Sequence, residues 1–443
     1  MSFHRVFPRA SIPTLLIWLL LALPAQAVGL LRDADMEYAL KQLASPVLQA
    51  AGLSADRVKI LVVDDSSLNA FVISNDAIYV HYGLINRMET AAMLQAVLAH
   101  EAAHIVNGHL TRRMNNIGNA QTVTGIGLAL AAAAAAAGGS EAAGGIAIGV
   151  ASSAQRALFG HTRAEEASAD QSGIRFMKAG GANPQGMLDV LKIFAGQEAL
   201  SAGRQDPYAR SHPLSRDRLR AMEGYVTTYG TLPDNPDAQY WFARLKGKLT
   251  AYTRNPGWTL KRLNETPYSD VRLLREAVAR HRQSQTKPAL KAIEAAIAQS
   301  PRDPFLLDMK GQIQIETRDF AGAVTSYGRA VQLAPGDALL LSGLGRALLA
   351  AGSPEKALPV LEKSRARDVR DGSMLRDLSV AYARTGQTGM AALITAERYA
   401  LQGRLKDAGI HAERASGLLA RGSGPWQRAQ DVLSASERAA KRK

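Results

Sequence analysis

A 34-residue recurrence of small residues and prolines limits what the second half of this chain can fold into. Small side chains let two helices cross closely, and a proline after the second helix of a pair prevents that helix from continuing. The recurring residues are Ala277, Gly311 and Gly345, then Ala289, Ala323 and Ala357, then Ala296 and Ala330, and finally Pro301 and Pro335. A weaker fourth unit keeps Ser379 and Ala391 in register. The spacing predicts stacked pairs of helices.

This period resembles that of the tetratricopeptide repeat, in which helix pairs stack into a curved solenoid with a concave groove for a peptide or a partner protein. We predict such an all-α domain over residues 269–420, after a linker at 231–268 and before a basic C-terminal tail at 421–443. The alternative is an unrelated helical bundle.

The first 27 residues have the three parts of a signal peptide. Arg5 and Arg9 precede an apolar run over residues 12–24, and Ala25-Gln26-Ala27 follows as a small-x-small cleavage site. The run is short for a bilayer span of roughly 20 residues, so a retained anchor is only the alternative. We expect export to the periplasm and a mature chain that begins at Val28.

Residues 28–230 combine helical and strand patterns and predict an α+β domain. Helical periodicity covers residues 32–53 and returns at 89–114. Between them lie three short β-rich segments bounded by turn residues: VKILVVDD, NAFVI and AIYVHYGLI. An Ala/Gly tract at 125–151 is weakly apolar, so we expect packed helices that gate the site or touch a membrane surface, with a transmembrane hairpin as the alternative.

The stretch AVLAHEAAHIVNGHL, residues 96–110, has the pattern of a zinc site. Positions i and i+4 share one face of a helix, so His100 and His104 can place two imidazole nitrogens about 2 Å from one zinc ion. Glu101 can take a proton from a zinc-bound water, whose pKa the metal lowers to about 7. The alternative is an alanine-rich helix with incidental histidines. The chain has no cysteine, so further ligands must be His, Asp or Glu.

The third ligand must come from outside this stretch. The metzincin pattern would place glycine and histidine where Asn107 and Leu110 stand. His109 lies roughly 80–100° around the helix from the required position, so we do not expect it to be a ligand. Downstream, in RAEEASADQSG, Glu166 could ligate the metal while Asp170, four residues on, accepts a hydrogen bond from a ligating histidine. Taken alone, such a pair is more often a solvated helix face.

Six motifs together carry a family resemblance: RDADME, NAFV, IYVHYGLI, VLAHEAAHIVNGH, EASADQSG and SHPLSRDRL. They resemble the M48 peptidases, the zinc metalloproteases that include Ste24 and HtpX, and in architecture the BepA-like branch with a signal peptide and C-terminal repeats. The resemblance implies a zincin-like fold and one Zn²⁺ per chain, held by His100, His104 and Glu166 with Glu101 as general base. Ste24 and HtpX carry membrane spans where this chain has only the Ala/Gly tract.

The resemblance also implies roles for residues outside the zinc motif. His212 of SHPLSRDRL is expected to occupy the open position of the zinc as a displaceable fourth ligand, and Arg218 to lie near the site as a cation for the oxyanion. The alternative is that both residues only cap a helix that begins after Pro213. An edge strand to which an extended substrate adds is expected at Asn69, Ala70 and Phe71.

The chain carries 53 basic and 39 acidic residues, and its net charge of +14 would attract it to an anionic membrane surface. No nucleic-acid motif accompanies the charge, so we expect no nucleic-acid partner. We predict a periplasmic zinc metalloendopeptidase that hydrolyses misfolded or unassembled envelope proteins. The family resemblance implies the outer-membrane β-barrel assembly machinery as a partner. The alternative is a repeat-based periplasmic chaperone or assembly adaptor with a latent protease site.

Overall fold

The structure is a computed structural model that describes residues 29–112, 162–200 and 204–440. The predicted signal peptide, the Ala/Gly tract at 125–151 and the last three residues of the tail lie outside these ranges. Among the helices within them, none combines the length and the hydropathy that a bilayer crossing requires.

A small mixed sheet forms one layer of the N-terminal domain. Its strands are β1 (Leu30–Leu31), β2 (Lys59–Val63), β3 (Ala70–Ser74) and β4 (Ala77–His81). The order is β1-β2-β4-β3, with β2 and β4 parallel and the two outer strands antiparallel to their neighbours. The three predicted strands are present, and the YGLI segment begins a helix. The two-residue β1 was not predicted, because two residues cannot show an alternating pattern.

Seven α-helices complete this domain in the described ranges. They are α1 (Ala34–Ala50), α2 (Tyr82–Arg87), α3 (Ala91–Val106), α4 (Arg163–Ala179), α5 (Gln185–Ile193), α6 (Pro207–Ser211) and α7 (Arg216–Tyr229). Helix α3 is buried on every side from Ala91 to Ile105, as a central helix must be. It packs against α1, α4, α5 and the sheet, which confirms the α+β class.

The predicted linker at 231–268 is largely helical, which corrects that prediction. It contains α8 (Pro236–Thr253) and α9 (Pro256–Lys261). Asn235 caps α8, and Pro236 stands at its first position, where a proline costs no hydrogen bond. Phe242, Leu245 and Leu249 of α8 belong to the core of the N-terminal domain, whereas Ala251 packs with the first repeat helices.

Paired helices follow, and they confirm the predicted repeat solenoid. They are α10 (Ser269–Arg282), α11 (Thr286–Gln299), α12 (Pro304–Glu316), α13 (Phe320–Leu333), α14 (Ala338–Ala350), α15 (Pro354–Arg367), α16 (Gly372–Arg384), α17 (Thr388–Leu401) and α18 (Leu405–Leu418). A last helix, α19 (Gly424–Ala440), replaces the predicted tail and buries Ala429, Val432 and Ala435.

The turn inside each helix pair uses one residue with a left-handed backbone. From α10 to α18 these residues are Ser284, Arg318, Gly352, Gly386 and Gly403, with φ between 60° and 79°, and Gly422 (φ 79°) lies in the turn between α18 and α19. The first four are 34 residues apart, but Gly403 follows Gly386 after only 17. Helix α17 is therefore the second helix of one pair and the first helix of the next. This half-step explains why the pattern leaves register after residue 390.

Buried ion pairs on α8 join the two domains. Arg244 is 1% exposed; its Nε lies 2.7 Å from Asp35 at the start of α1, and its Nη1 lies 2.5 Å from Asp303, the N-cap of α12. Lys248, fully buried, lies 2.8 Å from Asp33, the N-cap of α1. Asp33 and Asp303 are N-caps and Asp35 lies in the first turn of α1, so each carboxylate lies at a helix N-terminus and also neutralises a buried cation.

Replacing Arg244 with methionine should lower the free energy of unfolding by about 3–5 kcal/mol, because Asp35 and Asp303 would lose their shared counter-charge inside the junction. The measurement is urea denaturation followed by circular dichroism at 222 nm. The matched control is Lys310→Met, which removes an exposed pair with Glu294 and should change stability by less than about 1 kcal/mol. Equal midpoints for the two variants would contradict the role of the junction.

Candidate metal centre

Two closely packed helices supply most of the candidate ligands. His100 and His104 lie one turn apart on α3, and Glu166 and Asp170 lie one turn apart on α4. The helices meet at Gly173, where an added Cβ would come within 2.9 Å of Met187 Cε and 3.3 Å of the backbone nitrogen of His100. A Cβ there would require the end of the Met187 side chain to move and a small shift at the backbone of His100, so this glycine permits the close approach of the two helices.

Four buried side chains bring donor atoms within 4.8 Å of one another: His100, His104, Glu166 and His212. Nε2 of His100 lies 3.0 Å from Nε2 of His104 and 3.3 Å from Nδ1 of His212. Oε1 of Glu166 lies 3.3 Å from Nε2 of His104 and 3.0 Å from Nδ1 of His212. Atoms bound about 2.0–2.1 Å from a tetrahedral zinc are roughly 3.3 Å apart, so three nitrogens and one oxygen at these separations fit one zinc ion.

Charged partners behind the donor atoms stabilise this arrangement. Nδ1 of His100 lies 3.1 Å from Asp170, the contact expected of Asp170. Burial alone would lower the pKa of His100, but the charge of Glu166 and the hydrogen bond to Asp170 raise it to about 10. Burial would raise the pKa of Glu166, yet the charges of His212, His100 and Arg218 hold it well below its ordinary value. Burial lowers the pKa of His104 to about 3.

Arg218 is committed to the carboxylates of α4. Its Nε and Nη2 lie 2.7 and 2.8 Å from the two oxygens of Asp170, and its Nη1 lies 2.8 Å from Glu166. Nη1 also donates to the carbonyl of Pro213. Each of the three guanidinium nitrogens therefore has a carboxylate partner, and the contacts favour a role in positioning Glu166 and Asp170 over the expected contact with an oxyanion. The N-cap of α7 is Ser215, so the helix-capping alternative is not needed for either His212 or Arg218.

His212 lies between the candidate metal position and Glu101. Its Nδ1 faces His100 and Glu166, and its Nε2 lies 3.4 Å from Glu101 and 3.3 Å from the carbonyl of Ala70. The ring packs against Tyr208, with centroids 4.4 Å apart. Glu101 and His212 are 0% and 2% exposed. In this conformation both side chains are closed to bulk water.

Strand β3 is an edge of the sheet beside this site. Asn69 accepts a hydrogen bond from the backbone of His81 in β4, so by the two-residue period the carbonyls of Leu68 and Ala70 face away from β4. Tyr208 N–H donates to Leu68, and His212 Nε2 contacts Ala70. Phe71, the residue after Ala70, pairs with Tyr79 of β4 and stacks its ring on that of Tyr79. The segment from Tyr208 to His212 thus covers the outer backbone of β3.

Sequence reasoning missed the position of one histidine. His109 is 1% exposed and places its Nδ1 2.8 Å from Nδ1 of His104, on the side of that ring away from His100. The expectation that it is not a ligand agrees with this placement, but its contact with a ligand was not foreseen. Gly108, which has φ +68° and ends the helical path, was the signal available in the sequence.

Comparisons with known proteins identify two regions of the chain. Residues 31–226 match the model described as Peptidase family M48, and residues 314–380 match a tetratricopeptide repeat model. The chain therefore carries a peptidase family M48 domain, a metallopeptidase domain, followed by tetratricopeptide repeats. The family resemblance predicted from the motifs is confirmed.

Relatives match large parts of the chain at low identity. The Beta-barrel assembly-enhancing proteases of Escherichia coli K12 and Yersinia pestis are each 23% identical over 352 residues, covering 78% of this chain and 72% of the relative. Metalloprotease LoiP of Escherichia coli K12 is 27% identical over 206 residues, 44% of this chain and 74% of that protein. Among solved structures, MamA 41-end from Desulfovibrio magneticus RS-1 is matched over 36% of this chain and 93% of that chain at 17% identity, with a TM-score of 0.32.

Adding zinc to the metal-free protein near pH 7 should release about one proton per ion, because His100, with a pKa of about 10, must lose its Nε2 proton to become a ligand. Since protons compete below that pKa, affinity should fall about tenfold for each unit of pH lost between pH 8 and pH 6. Calorimetry in two buffers with different ionisation enthalpies measures the release. His411→Gln, a remote substitution, should not change it, and pH-independent binding would contradict the assignment.

Proposed function

We propose that this chain, whose N-terminal domain belongs to peptidase family M48, is a zinc-dependent metalloendopeptidase. The observation that carries the proposal is the buried set of donor atoms from His100, His104, Glu166 and His212 beside Glu101. A zinc ion held there would supply Lewis acidity and lower the pKa of a water molecule.

The residues of the chain supply proton transfer and orientation. Glu101 takes the proton of the attacking water and delivers it to the nitrogen of the leaving peptide. Asp170 accepts a hydrogen bond from Nδ1 of His100, which leaves the lone pair of Nε2 available to bind the metal. Arg218 holds Glu166 and Asp170 in place through 2.7–2.8 Å contacts.

His212 is proposed to be a displaceable ligand that closes the resting site. Its Nδ1 fills the fourth corner of the donor set, and its Nε2 lies 3.4 Å from Glu101, where a catalytic water would otherwise lie. For a water and a peptide bond to enter, this imidazole must swing out together with the end of α6, which ends at Ser211.

The proposed substrate is an extended polypeptide added to the edge of β3. Movement of the segment from Tyr208 to His212 would free the outward carbonyls of Leu68 and Ala70, which are the groups that a new antiparallel strand uses. Asn69 and Phe71 would alternate with those positions along the strand, with their side chains on one face of it. Main-chain recognition of this kind depends little on side chains and suits unfolded proteins.

We further propose that the chain acts in the periplasm on misfolded or unassembled envelope proteins. The signal-peptide pattern of residues 1–27 supports export, and relatives named Beta-barrel assembly-enhancing protease support a link to the outer-membrane β-barrel assembly machinery. The repeat solenoid is the proposed surface for substrates or for that partner. A peripheral contact with an anionic membrane would follow from the net charge of +14.

A second candidate function is a periplasmic chaperone or assembly adaptor whose protease site is latent. The observation in its favour is the closed position of His212, which contacts both Glu101 and Glu166. In this case zinc would serve structure and the repeats would carry the activity.

Replacing Glu101 with glutamine should lower the rate of cleavage of an unfolded test protein by about 10²–10⁴-fold while the protein still binds one zinc ion, because only the general base is lost. Cleavage is followed by gel electrophoresis, and metal content by atomic emission. Glu223→Gln, an exposed substitution on α7, is the matched control and should retain wild-type activity.

The variant His212→Ala distinguishes the two candidate functions. An endopeptidase closed by His212 should cleave faster when that side chain is removed. If neither the wild type nor His212→Ala cleaves, although both bind zinc and suppress aggregation of an unfolded protein, the adaptor function is supported instead.

The full-length chain expressed in a Gram-negative host should be recovered from the osmotic-shock fraction with Val28 at its N-terminus. Amino-terminal sequencing and fractionation provide the measurement. A version that lacks residues 2–27 should stay in the cytoplasm, and recovery of the full-length chain only from detergent-extracted membranes would contradict export as a cleaved protein.

A further inference from the structure

His109 lies directly behind His104. The two Nδ1 atoms are 2.8 Å apart, the ring centroids are 5.0 Å apart, and the ring planes are inclined at 67°. His104 is 0% exposed and His109 is 1% exposed. The opposite nitrogen of His104, Nε2, lies 3.0 Å from His100 and 3.3 Å from Glu166. His104 is therefore held between the candidate metal position on one side and His109 on the other.

The backbone after α3 places His109 there. Helix α3 ends at Val106, and Gly108 adopts φ +68°, a conformation that residues with a Cβ rarely adopt. A continuing helix would carry His109 around the axis, away from His104. The turn is also attached to α4, because the side-chain amide of Asn107 donates to the carbonyl and the hydroxyl of Ser168. The contact between the two rings is thus built by a specific turn.

The short distance between two ring nitrogens requires one donor and one acceptor. If His109 donated, the Nδ1 of His104 would be an acceptor, and a neutral His104 would carry its proton on Nε2, facing Glu166. That tautomer cannot be a metal ligand through Nε2. If His104 donates from Nδ1, its Nε2 lone pair is free to bind a metal, and His109 carries its own proton on Nε2.

We infer that His109 is a positioning residue, which accepts the Nδ1 proton of His104 and so selects the metal-binding tautomer and orientation of that ligand. It does for His104 what Asp170 does for His100, but with a neutral imidazole in place of a carboxylate. The inference rests on the metal site of the proposed function and adds a residue to it that touches no substrate.

Substitutions at His109 test the inference through metal affinity. An asparagine places its Oδ1 where the histidine has Nδ1 and can still accept the proton, whereas leucine has a similar bulk and no acceptor. We expect His109→Leu to weaken zinc binding about 10–100-fold, and His109→Asn to stay within a few-fold of wild type. Competition with a chromophoric chelator measures both, with Asp170→Ala as the positive control, because alanine has no acceptor for the Nδ1 proton of His100.

A spectroscopic readout separates positioning from general support of the fold. In long-range ¹H–¹⁵N spectra of histidine-labelled protein, His104 should show a protonated Nδ1 in the wild type and in His109→Asn, and a mixture of tautomers in metal-free His109→Leu. Thermal melting of the metal-free variants reports whether the leucine disturbs the fold.

The outcomes of these measurements are distinguishable. Equal zinc affinity for wild type, His109→Leu and His109→Asn, with His104 unchanged in the spectra, would overturn the role of His109 and leave the metal site intact. Equal loss of affinity in both variants would also overturn it, because the acceptor would then not be the property that matters. A wild-type protein that binds no zinc would instead overturn the proposed function.

Discussion

The ion pairs between α8 and its two neighbours determine how the domains are arranged. A guanidinium or an ammonium taken out of water without a counter-charge costs several kcal/mol, so Arg244 and Lys248 can be buried only where carboxylates meet them. Those carboxylates come from the start of α1 and from the N-cap of α12. The N-terminal domain, α8 and the second repeat therefore meet at one point.

The same need for charge balance shapes the candidate metal centre. Glu101, Glu166 and Asp170 bring three carboxylates into a space that is closed to water, and Arg218 supplies one positive charge. A divalent cation would balance the remaining two charges. The charges of the site need contacts that hold them in place. These contacts extend from the ligands to Arg218, and from Arg218 to the carbonyl of Pro213 in the turn before α7.

The sequence was sufficient for the fold class and for the placement of most candidate site residues, because helical i,i+4 spacing carries His100, His104, Glu166 and Asp170 onto facing surfaces. It was insufficient where polar residues are buried or where the backbone turns. Helix α8 was not predicted, because an arginine such as Arg244 is expected to be exposed when the carboxylates that pair with it are distant in the sequence. The neighbour of His104 depends on a turn whose direction only the folded backbone defines.

Helix α17 also has a consequence for how this solenoid could have grown. Arrays of equal units lengthen or shorten when a whole unit is copied or lost, and each copy brings its own two helices. A helix that serves two consecutive pairs, as the 17-residue step from Gly386 to Gly403 requires, cannot be copied with one pair without breaking the other. Gain or loss of a whole pair is therefore compatible with the packing of the first three units and incompatible with that of α16 to α18.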